Sequence, residues 1–309
     1  MSAVIVPGRN YSEQAARIAS ILNYPLAKVY WKEFPDGEQY VRIENPELLS
    51  AKTAVVVNTM YPGQDKSIME TLMLVDACTR AGAVDVKLVL PYLAYSRQDK
   101  LFLPGEPVSF SIVLKTLRNA GATGLVTVDS HSPEKLAEFQ GKAVNLLVSD
   151  LLVQEALKYS SNPIVIAPDK GALKRAEYAA VKLGLRFDYL VKTRDRVTGQ
   201  VSYQPREIRI SGEDIVIVDD IISTGGTIAE ASKLLLENGA SSIIVAATHG
   251  LMLGNALEKI RAAGVKKIIL ADTLASRIRD DLVEYTDVSR RLAEAVEKVL
   301  EQVERETRR

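Results

Sequence analysis

Residues 215–227 read Ile-Val-Ile-Val-Asp-Asp-Ile-Ile-Ser-Thr-Gly-Gly-Thr, the segment of this chain with the most usable chemistry. Four apolar residues make a buried strand that delivers Asp219 and Asp220 at its C-terminal end, the edge where ligands sit in open α/β sheets. The turn after it, Ser223-Thr224-Gly225-Gly226-Thr227, is rich in glycine and hydroxyl groups. Glycines there expose backbone N–H groups, and the start of the next helix adds partial positive charge, so a phosphate fits. Thr224 and Thr227 can donate to the same anion. The two carboxylates cannot bind phosphate, but they can accept from sugar hydroxyls or hold a metal. The segment is built for a sugar phosphate. It is not a nucleotide P-loop, because no Lys follows the glycines.

Five other places carry polar side chains at positions where ligands are met. Arg97 and Lys100 bring positive charge to the end of the strand that closes at Pro91, a good place for a triphosphate. His131 lies directly after one strand and before a helix with Pro133 at its first position. On its own it reads as a structural histidine or as a nucleotide or metal contact. His249, the other histidine, reads as structural. Asp169 sits at the carboxyl end of a further strand. Lys192 and Arg194 open a polar stretch, Asp195 to Gln204, that reads as a flap; on residue type alone they also suit a solvated hairpin. Phe34-Pro35-Asp36-Gly37-Glu38 is a turn with an aromatic anchor.

The elements that place these residues are marked by glycine. Gly82, Gly121, Gly239 and Gly264 each end a helical pattern just before a continuous Val/Ile/Leu run. Such runs, apolar without alternation, are strands covered on both faces. Ser67 with Glu70 reads as a capping box that starts a helix. Alternating strands and helices of this kind give a doubly wound α/β architecture. The segment Val55–Asn58, with the helix and strand after it, echoes Ile164–Pro168 and its own next helix and strand. Asp129 at one strand end then echoes Asp219 and Asp220. This pattern predicts a duplicated domain, residues 1–147 and residues 148–309. From Asp287 onward, Leu292, Val296, Val299 and Val303 mark an amphipathic helix, expected to pack on its own, second domain.

Bulk composition narrows the partners. At 309 residues the chain exceeds the usual size of one core. Lys plus Arg equal Asp plus Glu at 39 each, which points away from nucleic acid and from an anionic membrane, so any phosphate site is local. A single cysteine, Cys78, rules out an internal disulfide framework and fits a reducing compartment. Neither a signal-peptide pattern nor an apolar run of about 18 residues is present, so a cytoplasmic protein is expected.

Val218 to Thr227 resembles the phosphoribosyl pyrophosphate loop shared by phosphoribosyltransferases and by the synthetase that makes their substrate. Phe34–Glu38, Pro91–Lys100, Thr127–Glu134 and Ala167–Gly171 with Leu190–Arg194 are similar to the ribose-phosphate pyrophosphokinase family. The resemblance implies two domains of phosphoribosyltransferase type. It implies that Phe34, Asp36, Glu38, Arg97, Gln98, Lys100 and His131 bind ATP. His131 and Asp169 would hold magnesium, and Lys192 and Arg194 would stabilise the transition state. Asp219, Asp220, Ser223, Thr224, Gly225, Gly226 and Thr227 would bind ribose 5-phosphate. It further implies a homo-oligomer. Ser223 stands where many members have a second loop Asp, and Leu101–Pro104 departs from the bacterial pattern toward archaeal members, so no allosteric site is carried over. A phosphoribosyltransferase that consumes the product would have one such domain plus a hood. A non-catalytic regulatory relative would show damage at His131, at the paired Asp or at Lys192 and Arg194. Neither condition is met, and there is no room for a DNA-binding domain.

Overall fold

The computed structural model describes residues 3–194, 201–205 and 209–307, excepting side chains at 192–194, 201–205 and 301–307. The chain forms two compact units. The first comprises Met1–Leu146, Thr273–Ser276 and Val288–Arg309; the second comprises Leu147–Asp272 and Arg277–Asp287.

In the first unit the elements run β1 (Ala3–Pro7), α1 (Ser12–Leu22), β2 (Val29–Glu33), β3 (Gln39–Ile43), β4 (Thr53–Val57), α2 (Gln64–Arg80), β5 (Asp85–Val89), α3 (Ser109–Asn119), β6 (Gly124–Val128) and β7 (Lys142–Leu146). Five strands form a parallel sheet in the order β1-β4-β5-β6-β7, while β2 and β3 form a separate antiparallel ribbon. Every residue of β4 and β6 is buried, as expected of strands covered on both faces.

The second unit runs α4 (Ser149–Ala156), β8 (Pro163–Ala167), α5 (Leu173–Leu183), β9 (Arg186–Arg194), β10 (Val201–Pro205), β11 (Asp214–Ile222), α6 (Gly226–Glu237), β12 (Ser242–Gly250), α7 (Ala256–Ala262), β13 (Val265–Ala271) and β14 (Val283–Thr286). Its sheet has the order β10-β9-β8-β11-β12-β13-β14, parallel except for β10 on β9. Gly82, Gly121, Gly239 and Gly264 all have positive φ, so each ends its helix as expected.

The two units repeat one plan, in a register that differs from the sequence echo. Strand order pairs β1 with β8 and β4 with β11, so Val55–Asn58 is the counterpart of the strand before the phosphate turn, not of Ile164–Pro168. Thr53 and Asp214 each pair with the first residue of the neighbouring strand. Asn58 and Thr59 therefore occupy the places of Asp219 and Asp220. Asp129, which follows β6, corresponds to Asp272 after β13 rather than to the acidic pair. Short apolar runs look alike in sequence, so a shift by one strand–helix step goes unnoticed there. The helices repeat more closely. In both α1 and α5 the buried residues are the third, fourth, seventh and eighth: Gln14, Ala15, Ile18 and Ala19 in one, Arg175, Ala176, Ala179 and Ala180 in the other.

The last helix, α8 (Ser289–Thr307), belongs to the first unit and not to the second, contrary to its place in the chain. It packs on α1, β5, β6 and β7, as α4 packs on α5, β12, β13 and β14. Beside α1, then, α8 takes the place in the first unit that α4 takes beside α5 in the second. Leu292, Val296 and Val299 are buried, each contributing about 1.5–3 kcal/mol of burial free energy; the side chain of Val303 lies outside the described residues. A second correction concerns α2, which begins at Gln64 after Gly63, at φ 73°. Ser67 and Glu70 lie inside it, the Ser67 hydroxyl donating to the Gly63 carbonyl at 2.8 Å. Gly63 in its left-handed conformation turns the chain into the helix ahead of the capping-box pattern.

Candidate functional site

In the second unit, β11 carries Asp219 and Asp220 to the sheet edge and the turn at Ser223 leads into α6. The residue before that helix is Gly225, at φ 75°, and no side chain caps the helix start. The first-turn N–H groups are thus left for an anion. Gly225 is fixed by space as well as by φ, since an added Cβ would meet the Ala256 carbonyl at 3.0 Å and Ile260 at 3.2 Å. The turn is held from behind: the N–H groups of Met252 and Leu253 donate to the carbonyls of Ile222 and Ser223 at 3.1 and 2.8 Å. Thr224 and Thr227 are exposed and Ser223 is half-buried, so all three hydroxyls can reach a ligand.

Beside the turn lies a carboxylate group of three. Asp219 is half-buried, and burial first, then the neighbouring Asp220 and more distantly Asp169, push its carboxyl well above the usual range. Asp220 is buried and pairs with Arg175 on α5 at 3.3 Å. Asp169 is exposed; its Oδ1 accepts the N–H groups of Gly171 and Ala172 at 2.7 and 3.2 Å, which fixes the loop ahead of α5. Among the described residues no three His, Cys, Asp or Glu side chains converge into a metal cage. The group suits magnesium in another way. That ion keeps several waters and takes one or two carboxylates plus substrate oxygens, and Asp169 and Asp219 are the carboxylates here with surface open to it.

Lys192 and Arg194 stand two residues apart at the end of β9, and their register on β10 is Tyr203 and Val201. Their side chains, and residues 195–200 of the expected flap, lie outside the described residues. The described remainder of that stretch is a strand, β10, antiparallel to β9.

In the first unit the ribbon β2–β3 presents Phe34, Asp36 and Glu38 at its tip, all exposed. The turn is closed by Phe34 N–H donating to the Glu38 carbonyl at 2.8 Å and Gly37 N–H to the Phe34 carbonyl at 2.9 Å. Lys32 sits 4.6 Å from the centre of the Phe34 ring and Tyr40 lies 6.2 Å from it at a steep angle, yet Phe34 is 37% exposed and can meet a flat ligand. After β5 comes the loop with Arg97, Gln98 and Lys100. Arg97 and Lys100 are exposed, while Gln98 Oε1 accepts from the Ser109 hydroxyl at 2.5 Å. Asp99 accepts from the Ser132 hydroxyl, which ties this loop to the exposed His131. Burial opposes ionisation of Asp99, yet the Ser132 and backbone hydrogen bonds and the nearby Lys100 and His131 hold its pKa below the ordinary value. Arg97, Gln98, Lys100 and His131 are therefore one cluster within the first unit. His131 belongs to this unit and Asp169 to the other.

The sugar-phosphate geometry occurs in one unit only. Where the second has Asp219 and Asp220, the first has Asn58 and Thr59, and its turn reads Tyr61-Pro62-Gly63. Thr59 is also committed, its hydroxyl donating to the Thr273 carbonyl at 2.7 Å.

Comparison with known proteins agrees with this division. Residues 3–121 match the N-terminal domain of ribose phosphate pyrophosphokinase, and residues 139–273 match the phosphoribosyl transferase domain. The ribose-phosphate pyrophosphokinase of Sulfurisphaera tokodaii is 40% identical over 273 residues, 88% of this chain and 93% of that protein. The chain belongs to the ribose-phosphate pyrophosphokinase family. The family's enzyme from Methanothermobacter thermautotrophicus is also 40% identical, over 86% of this chain and 92% of that one. Many such relatives are archaeal, in line with the pattern at Leu101–Pro104. A crystal structure of phosphoribosylpyrophosphate synthetase from Mycobacterium smegmatis superposes with a TM-score of 0.87 at 29% identity, covering 98% of this chain and 100% of that one. Of the expected site residues, those from Phe34 to Lys100 fall in the family's N-terminal domain and those from Asp169 to Thr227 in the transferase domain. His131 falls between the two matched segments.

Sequence reading missed Arg175. The only signal was a basic residue in the first turn of a helix that directly follows Asp169, a position where cations are common on any surface.

Proposed function

We propose that this chain is a ribose-phosphate pyrophosphokinase, transferring the β,γ-pyrophosphoryl group of ATP to O1 of ribose 5-phosphate to give 5-phosphoribosyl 1-pyrophosphate and AMP. The observation that carries this reading is the asymmetry of the duplication. One unit keeps an uncapped phosphate turn next to a carboxylate pair, while the other has replaced the pair and instead presents a cationic cluster and an open aromatic ring. A phosphoribosyltransferase, which consumes the same product, needs only the first of these.

In this reading Phe34 stacks on adenine, with Asp36 and Glu38 contacting the base or its neighbours. Arg97, Gln98, Lys100 and His131 take the triphosphate. The turn Ser223–Thr227 grips the 5-phosphate through backbone N–H and hydroxyl donors. The acidic pair at the end of β11, Asp219 and Asp220, borders the ribose and supplies the carboxylate that its hydroxyls meet. O1 of ribose attacks the β-phosphorus in line and AMP leaves, while Lys192 and Arg194 neutralise charge on the equatorial oxygens. Magnesium would offset the phosphate charge, with His131 on the ATP side and Asp169 on the sugar-phosphate side as the residues that would hold it, through water or directly. Most of the rate gain comes from positioning and charge neutralisation, with no covalent enzyme intermediate.

Among the described residues no helix is long and apolar enough to cross a membrane. A cytoplasmic homo-oligomer suits the proposal: the one thiol is buried, and Tyr30 and Tyr40 expose aromatic surface on the ribbon for a second copy. The test is direct. Purified protein incubated with ATP, ribose 5-phosphate and magnesium should release AMP only when the sugar phosphate is present. Release of pyrophosphate or ADP in place of AMP would overturn the assignment.

A further inference from the structure

Arg175 is an arginine with 8% of its surface exposed, in the first turn of α5, and the reaction as proposed gives it no role. Its guanidinium reaches two segments. One nitrogen pairs with Asp220 Oδ2 at 3.3 Å, and the other donates to the Gly171 carbonyl at 3.3 Å. Its own carbonyl accepts from Ser149, on the first turn of α4, at 2.9 Å. Arg175 thus joins the acidic end of β11 to the loop whose other anchor is the Asp169 carboxylate. A buried guanidinium is costly unless a charge answers it, and breaking a buried ion pair by removing one partner is costly in turn. Asp220, 5% exposed, is therefore committed to Arg175, whereas Asp219 is half-open.

The first unit supplies an internal comparison. The third residue of its matching helix is Gln14, also buried at 6% exposure. The positions matching the acidic pair there are Asn58 and Thr59. Where the carboxylates are gone, the cation is gone with them.

We infer that Arg175 is a positioning residue for the sugar phosphate: it fixes Asp220 and the Gly171 loop, so that Asp219 is the carboxylate presented to the ribose hydroxyls. This rests on the proposed function and sharpens it, dividing the acidic pair into one ligand and one support. Asp220 then acts through Arg175 on the shape of the site and not on the sugar itself.

The test compares Arg175→Met, Arg175→Lys and the double variant Arg175→Met with Asp220→Asn, in the full-length protein. For Arg175→Met the KM for ribose 5-phosphate should rise roughly tenfold or more, with the KM for ATP within about twofold. The double variant, which removes the charge of both members of the pair, should recover most of the loss, and Arg175→Lys should fall between. Equal rises in both KM values, an unchanged KM for ribose 5-phosphate, or a double variant no better than the single would overturn the inference. If Arg175→Met does not fold, Arg175→Lys and the double variant decide by the same criteria, with thermal melts confirming that both are folded. Wild-type protein that makes no AMP would defeat the proposed reaction instead. In that case calorimetric titration of the same variants with ribose 5-phosphate still reads the effect of Arg175 on sugar-phosphate binding.

Discussion

Val299 of α8 lies against Gly124 of β6: a Cβ placed on Gly124 would come within 2.9 Å of Val299 Cγ1 and 2.7 Å of Lys87 Cδ. Lys87 has no freedom to withdraw, because its ammonium is paired with Asp85 at 2.9 Å and donates to Thr123 at 2.9 Å. The close approach of helix and sheet depends on that glycine. Gly124→Val should overpack the contact and cost about 2 kcal/mol. Thermal unfolding should show the drop, and hydrogen exchange should rise in β5, β6 and β7 with α8.

Gly225→Ala meets both a left-handed backbone and the Ala256 carbonyl at 3.0 Å. The turn must shift to relieve it, at a cost of about 1–3 kcal/mol. Steady-state kinetics should show a KM for ribose 5-phosphate raised by about tenfold or more, with the KM for ATP little changed.

Replacing Lys192 and Arg194 together with Ala should lower kcat by about a thousandfold or more, since their charge is used when charge builds on the transferring group. Ribose 5-phosphate binding, measured by calorimetry, should be largely retained. Loss of binding in step with turnover would remove them from the transition state.

Glu70 is 3% exposed, and its carboxyl is raised above the ordinary 4.5, chiefly by burial and against the pull of Arg9. The folded protein thus holds this proton more tightly than the unfolded chain does. Its contribution is most favourable below the ordinary value and declines as pH climbs through the raised one. Glu70→Gln removes that decline. The variant should be more stable than wild type at neutral pH, with the gain shrinking toward pH 4.5 in thermal melts.

The Cys78 thiol is buried in α2 and pushed up to about 12 by burial. Native protein should resist alkylation at pH 8 and react promptly once unfolded, as mass spectrometry would report.

The sequence carried the strand–turn–helix of the phosphate turn almost completely, because everything it needs is local: an apolar run, two acids, glycines and hydroxyls. The glycine helix stops were legible for the same reason. Other features depend on partners distant in the chain. The apolar stripe of α8 shows that one face is buried but not against what, so its placement in the first unit was not readable. The echo between halves slipped by one strand because short Val/Ile runs carry no register of their own. Arg175 looks in sequence like any first-turn cation; only its burial beside Asp220 distinguishes it. Gly63 outranked the capping-box pattern at Ser67 through backbone conformation, which residue type suggests but does not dictate.

The borrowed helix also sets an order of events during synthesis. A domain usually condenses as it leaves the ribosome, N-terminal part first. Here the second unit ends at Asp287, whereas the first needs residues 288 onward to close the face above β5, β6 and β7. The part of the protein made first therefore packs that face only after residues beyond 287 have emerged, later than the unit made second.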